Sequence, residues 1–235
     1  MLSNRFDKFY HKQDAEAFAK DFFSSPDVQR EVLKLGGGSS SNDSGSGNSI
    51  SMECESVKVK PLRASVTNMG FFDKLLECED VVRSNGQLVK CMDDYHQGFH
   101  VQDRLRDVLL NEDNEFELDH GELFTEEEKE EFIYHIFKHL AIGGSLCQFE
   151  DKLGPYLDLA KTIYKELATV WRNPRTSKVE VASGVYSVMD VTFKDKDRPS
   201  GSLFEEESIQ NWFYISTDPF RRTCKVWVHK FQHHW

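Results

Sequence analysis

The chain has 235 residues, 39% of them hydrophobic, with 14 glycines, a composition that sustains a folded core. Forty Asp and Glu against 29 Lys and Arg leave a formal charge of −11, which opposes a phosphate backbone at any general face and argues against nucleic acid as a partner. Met1–Tyr10 lacks the apolar run of a signal peptide and no stretch is apolar enough for a membrane span, so a non-secreted, non-membrane protein is expected, with five scattered cysteines as reduced thiols in the cytosol.

In chain order, Ala15, Phe18, Ala19, Phe22 and Phe23 recur with helical spacing, and Pro26 separates this helix from a second short one reaching Leu35. Gly36 to Asn48 is almost entirely Gly, Ser, Asn and Asp, which reads as flexible coil. Val57 to Val66 reads as a strand that Pro61 assigns to an edge or a bulge. Asn68 is placed to cap a short helix carrying Phe71, Phe72, Leu75 and Leu76. Ser84-Asn85-Gly86 between Val81-Val82-Arg83 and Gln87–Lys90 predicts a hairpin, and Val101, Leu105, Val108 and Leu109 predict a helix after Gly98.

Thr125 and Glu128 form a capping box, which predicts one helix running on through Phe132, Ile133, Ile136, Phe137 and Leu140 to a stop at Gly143-Gly144. Ser145 to Glu150 then reads as a short buried strand. Pro155 opens a long helix with Tyr156, Leu159, Ala160, Ile163, Leu167 and Val170 inward, closed by Asn173-Pro174. Alternation in Lys178–Val188, Ile209–Ser216 and Cys224–Phe231 predicts a C-terminal antiparallel meander. The fold class expected is α+β, a single domain with a mixed or antiparallel sheet packed by several helices. Its divisions are an N-terminal helical segment (1–35), a flexible Gly/Ser-rich linker or insertion (36–56) and a main α+β domain (57–235).

Candidate chemistry is sparse. His135 and His139 stand four apart as two metal ligands would, but Ile136 occupies the place of a zincin glutamate, and both lie opposite the apolar stripe, on an expected solvated face. His229, His233 and His234 near Cys224 have metal-ligand chemistry, against which stands a frayed His-rich terminus. Gly143-Gly144 before a strand is reminiscent of nucleotide- and methyl-transferring sheets, against which stands a helix C-cap. Asp93-Asp94, Glu150-Asp151 and Glu126–Glu131 supply carboxylates without a sign of shared burial. Arg221-Arg222, Trp212, Trp227 and Trp235 are residue types that anchor interfaces, although Trp212 and Trp227 fit core packing in the meander better. No catalytic, cofactor-binding or metal-binding residue is assigned. The expectation is a protein-binding module and not an enzyme, with a cofactor-dependent transferase using Gly143-Gly144 as the alternative.

A longer pattern runs through the middle of the chain. Gly70-Phe71-Phe72-Asp73 is followed by Leu88-Val89-Lys90-Cys91, Asp94-Tyr95 and Gly98-Phe99, then by Phe137–Leu140 and the string Gly143-Gly144-Ser145-Leu146-Cys147-Gln148-Phe149-Glu150-Asp151. Pro155-Tyr156-Leu157, Ile163-Tyr164-Lys165, Asn173-Pro174 and Asp218-Pro219-Phe220-Arg221-Arg222 complete it. In this order, over about Phe71 to Arg222 with an echo in Phe18–Val28, the chain resembles the family of cilia- and flagella-associated protein 300. The Gly36–Asn48 tract reads as an insertion, and the chain begins later than the family pattern. The resemblance implies a non-enzymatic factor of the cytoplasm and of the ciliary or flagellar axoneme, serving the assembly and delivery of outer and inner dynein arms. Its implied partners are preassembly factors such as kintoun, axonemal dynein subunits and the intraflagellar transport machinery, with no cofactor.

Overall fold

In this computed structural model the described residues are 2–5, 14–35, 53–110, 123–144, 149–194, 201–204 and 207–232. The chain runs β1 (Leu2–Arg5), α1 (Ala15–Ser24), α2 (Pro26–Leu35), β2 (Glu53–Leu62), a 3-10 turn (Met69–Phe72), α3 (Asp73–Glu77), β3 (Lys90–His96), β4 (Phe99–Asp103) and α4 (Arg104–Leu110). It continues through α5 (Glu126–Lys129), α6 (Phe132–Ile142), α7 (Leu153–Leu167), β5 (Val170–Arg172), β6 (Val179–Val181), β7 (Gly184–Lys194), β8 (Gly201–Ser202), β9 (Trp212–Asp218) and β10 (Thr223–His229). The α+β class holds, and β7, β9 and β10 form the expected antiparallel meander, but the first expected strand, Lys178–Val188, is split, its Val179–Val181 part pairing with β5 instead. Among the described residues no helix is long and apolar enough to cross a membrane.

Two compact units divide the chain, one from Met1–Pro61 with Gly184–His233 and the other within Leu62–Ser183. In the first, a sheet of order β1-β10-β9-β7-β2, with β8 on β7, packs against α1 and α2. Strand residues alternate between faces, so Phe213 and Ile215 of β9 and Cys224 and Val226 of β10 share the helix-facing side. There Phe18, Phe22 and Phe23 of α1 meet them, with the Phe23 ring 5.3 Å from Phe213 and 6.2 Å from Phe193. Each large side chain removed from water contributes about 1.5–3 kcal/mol, so the N-terminal helices are part of this core and not a separate segment. The strand expected from Val57 begins earlier, at Glu53 inside the range read as linker, and β2 is an edge strand, one of the two places open to a strand with Pro61. Gly36–Asn48 and most of Ser145–Glu150 lie outside the described residues.

The second unit is built around α6 and α7. One helix was expected from Thr125 to Leu140, but the capping box serves only the short α5, and the chain breaks before α6. The physical reason is Glu131. As N-cap of α6 it accepts hydrogen bonds from Ser65 N (2.9 Å) and Ser65 Oγ, while Phe132 N donates to Arg63 O (2.8 Å), so Arg63–Ser65 takes the groups a continuous helix would have used. Helix α7 buries Leu153, Tyr156, Ala160, Tyr164 and Leu167, rotated from the expected stripe, and leaves Leu159 exposed. It ends at Leu167, because Val170–Arg172 is drawn into a ribbon with Val179–Val181, ahead of Asn173-Pro174.

Candidate protein-docking hairpin

Where a helix was expected from Val101, the chain first forms β4, antiparallel to β3. Gln97 and Gly98 both have positive φ, 49° and 82°, the backbone of a two-residue hairpin turn closed by His96 opposite Phe99. Phe99, Val101 and Asp103 alternate inward and are buried, which anchors β4; helix α4 begins only at Arg104. On β3 the register passes from Lys90 opposite Asp103 directly to Asp94 opposite Val101, so β3 bulges across Cys91–Asp93.

The bulge turns Met92 outward, 91% exposed, and Tyr95 beyond it is 70% exposed. The Tyr95 ring stacks on His100 with centroids 5.2 Å apart, and His100 Nε2 lies 3.3 Å from Asp93 Oδ1. Tyr95 N donates to Asp94 Oδ1 at 2.7 Å. A thioether and a phenol ring thus stand in water beside two carboxylates, on a turn that its own side chains hold in one shape. Chemically, exposed side chains of these kinds can bind another polypeptide.

The hairpin rests on a buried ionic hub. Asp103 caps α4 by accepting Arg106 N at 3.0 Å and pairs with the Arg106 guanidinium; both side chains are fully buried. Arg106 Nη2 donates to Tyr156 OH at 2.6 Å, and the guanidinium lies 3.8 Å from the centre of the Phe149 ring. Tyr156 OH accepts from Glu150 N at 2.8 Å, and Phe149 meets Phe99 edge-on at 5.9 Å. Leu88 N donates to Asp151 O at 2.9 Å, and Lys90 Nζ to Asp151 Oδ1 at 2.8 Å, which with the charge of Lys90 holds that carboxyl below its ordinary range. The strings Leu88–Cys91, Gly98-Phe99, Phe149–Asp151 and Pro155-Tyr156 therefore converge in space, and there they build the support of the hairpin.

Other candidate residues fall elsewhere. His139 is buried and His135 half-buried, against the expected solvated face, because α6 is covered on nearly every side. Gly143, at φ 73°, is the C-cap of α6, its N–H donating to His139 O at 2.8 Å. His229 stacks on Trp212 at 4.6 Å, with Nδ1 2.7 Å from Gln210 O, on the face of the sheet opposite Cys224; His233, His234 and Trp235 lie outside the described residues. Trp212 is buried and 5.1 Å from half-buried Trp227, packed within the meander as expected.

The acidic candidates are engaged in structural contacts. Glu126 pairs with Lys129, Glu128 with Lys74, and Glu131 with Arg63 and Ser65. Among the described residues no group of three His, Cys, Asp or Glu is placed to hold a metal ion. Cys54, Cys78 and Cys91 are free thiols, and burial pushes those of Cys54 and Cys91 up, away from a reactive thiolate. Sequence reasoning missed Met92, His100 and Arg106. Gln97-Gly98 before the alternation Phe99, Val101, Asp103 signalled the hairpin; nothing local signals a buried arginine.

The model of the family "Cilia- and flagella-associated protein 300" matches residues 2–229. The chain is 36% identical over 234 residues to the Chlamydomonas reinhardtii protein of that name, covering 98% of this chain and 85% of the relative. It is 26% identical over 170 residues to the Paramecium tetraurelia protein, covering 72% of this chain and 62% of the relative. No solved structure matches it. A match of this extent establishes that the chain belongs to the cilia- and flagella-associated protein 300 family.

Proposed function

We propose that the chain is a non-catalytic protein-binding factor that works in the cytoplasm to assemble axonemal dynein arms, outer and inner, and to deliver them to the cilium or flagellum. The observation that carries this reading is the β3–β4 hairpin, with Met92 and Tyr95 exposed on a scaffold fixed by the Arg106 hub. Ordered, solvent-facing apolar side chains on a rigid support lose little entropy on binding and make efficient anchors. Membership of a ciliary and flagellar family supports an axonemal cargo, and the partners fitting it are preassembly factors such as kintoun, dynein subunits or the intraflagellar transport machinery. The transferase alternative loses its motive, since Gly143 already serves as a helix cap.

Affinity purification from ciliating cells tests the reading. The wild-type chain is expected to recover dynein heavy chains or their preassembly or transport factors, and a Met92→Ser, Tyr95→Ser variant with unchanged melting temperature to recover far less. Recovery of none of these by the wild type overturns the reading; equal recovery by the variant overturns the assignment of the hairpin.

A further inference from the structure

The turn joining β9 to β10 carries a second set of side chains whose arrangement the fold alone does not demand. Asp218, buried at the end of β9, accepts Phe220 N at 2.9 Å and Arg221 N at 3.0 Å through Oδ1, and Arg221 Nη1 lies 3.2 Å from Oδ2. Pro219 fixes the first central position, and the strands beneath are paired through all seven residues, from Thr223 opposite Asp218 to His229 opposite Trp212. The turn is therefore rigid before anything binds. On it Phe220 is 60% exposed, the Arg221 side chain is 74% exposed, and Arg222 is exposed with φ at 54°.

Glycine or asparagine holds that left-handed backbone more readily than arginine, so an arginine there points to work done by its side chain. An exposed ring followed by two arginines has a definite complement. The ring takes an apolar side chain, and the planar forks take carboxylates. In a chain with 11 more acidic than basic residues, a paired-arginine turn carrying an aromatic ring has the charge opposite to the chain's net. A nucleic-acid backbone is the poorer fit, since two guanidiniums do not offset the repulsion of the remaining surface. We propose that the β9–β10 turn, through Phe220, Arg221 and Arg222, docks an extended acidic segment of a partner polypeptide that carries an apolar side chain beside its carboxylates.

The test is a fluorescence-anisotropy titration of the full chain with a labelled synthetic peptide of glutamates interspersed with leucine. Binding is expected to weaken as salt is raised. It is also expected to fall by about tenfold in Arg222→Gly, a change that suits the backbone and keeps the turn, and in Phe220→Ser, while Arg175→Ser in the exposed β5–β6 turn leaves it unchanged. The proposal is overturned if the peptide fails to bind, if Arg222→Gly binds as well as the wild type, or if a lysine-for-glutamate peptide binds equally. Displacement of the peptide by a single-stranded oligonucleotide of equal charge more readily than by unlabelled peptide also overturns it, in favour of a phosphate site. The turn is far in sequence from the β3–β4 hairpin, and these outcomes bear on the turn alone.

Discussion

Arg106 and Asp103 stand three residues apart, one in the first turn of α4 and the other at the end of β4, and form an ion pair with neither side chain reaching solvent. Two charges so placed are costly to bury, and their attraction offsets that cost only while both remain and their other polar atoms are bonded. Here the second Asp103 oxygen accepts from the Arg106 amide and Arg106 Nη2 donates to the Tyr156 hydroxyl, while the buried Arg106 Nε has no hydrogen-bond partner among the described residues and adds to the cost.

Removing both partners should therefore cost less than the sum of removing each alone. Asp103→Ala strands a buried guanidinium, with an expected loss of about 3–5 kcal/mol in urea unfolding. The double change Asp103→Leu with Arg106→Met should lose clearly less than the two single losses combined. Strict additivity of the two would show that the pair is not coupled.

Glu131 offers a second test, at the break between α5 and α6. Its carboxylate is buried and holds Ser65 N, Ser65 Oγ and the Arg63 guanidinium at 3.0 Å. Glu131→Ala should cost about 2–3 kcal/mol, as expected of buried bonds to a charged group. Arg63→Ala should cost under about 1 kcal/mol, because the Arg63 side chain is 55% exposed and its pairing is screened. A larger loss from Arg63 than from Glu131 would show that the surface pair, and not the amide anchoring, fixes the break.

Elements that depend on local rules were legible in the sequence. The Thr125 box, the Asn68 cap, the Asn85-Gly86 turn, the aromatic stripe of α1 and the alternation of the meander act within a few residues and appear where expected. What escaped was decided at a distance. The split before α6 depends on Ser65, the rotation of α7 on what packs against it, and the burial of His139 on a helix enclosed almost all round. The docking hairpin escaped because Val101 suits a helix as well as a strand, and only the buried partners of Phe99 and Asp103 decide between them. The family strings were visible, but sequence could not show which of their side chains are support, as Phe99 and Tyr156 are, and which stand in solvent, as Tyr95 and Phe220 do.

The link between Lys74 and Glu128 predicts an acid limb in stability. Partial burial alone would raise the Glu128 carboxyl, but the Lys74 ammonium, donating to both oxygens at 2.6 Å, and the Thr125 amide outweigh it and lower the folded value below 4.5. A lowered folded value means stability fully present above the ordinary value and lost as pH falls through the folded one. Glu128→Gln should thus be less stable than the wild type at neutral pH and equal to it in strong acid. A stability gap that stays constant across the acid range would exclude this linkage.

Tyr164 and Tyr214 predict the opposite limb. Burial raises both phenols, aided at Tyr164 by the negative charge of Glu131 and only partly countered at Tyr214 by a hydrogen bond with Ser187. A raised folded value gives stability fully present below the ordinary value of 10.0 and lost as pH rises toward the folded one, so these rings ionise when the protein opens. In an alkaline titration, part of the phenolate absorbance should appear only together with loss of the native circular dichroism. Tyr164→Phe and Tyr214→Phe should each remove a share of that late step. Tyr164→Phe should also cost about 1 kcal/mol at neutral pH, because it leaves Val66 O without its 2.9 Å donor. Ionisation of all seven tyrosines in the ordinary range, with the native spectrum intact, would contradict the burial of these two rings.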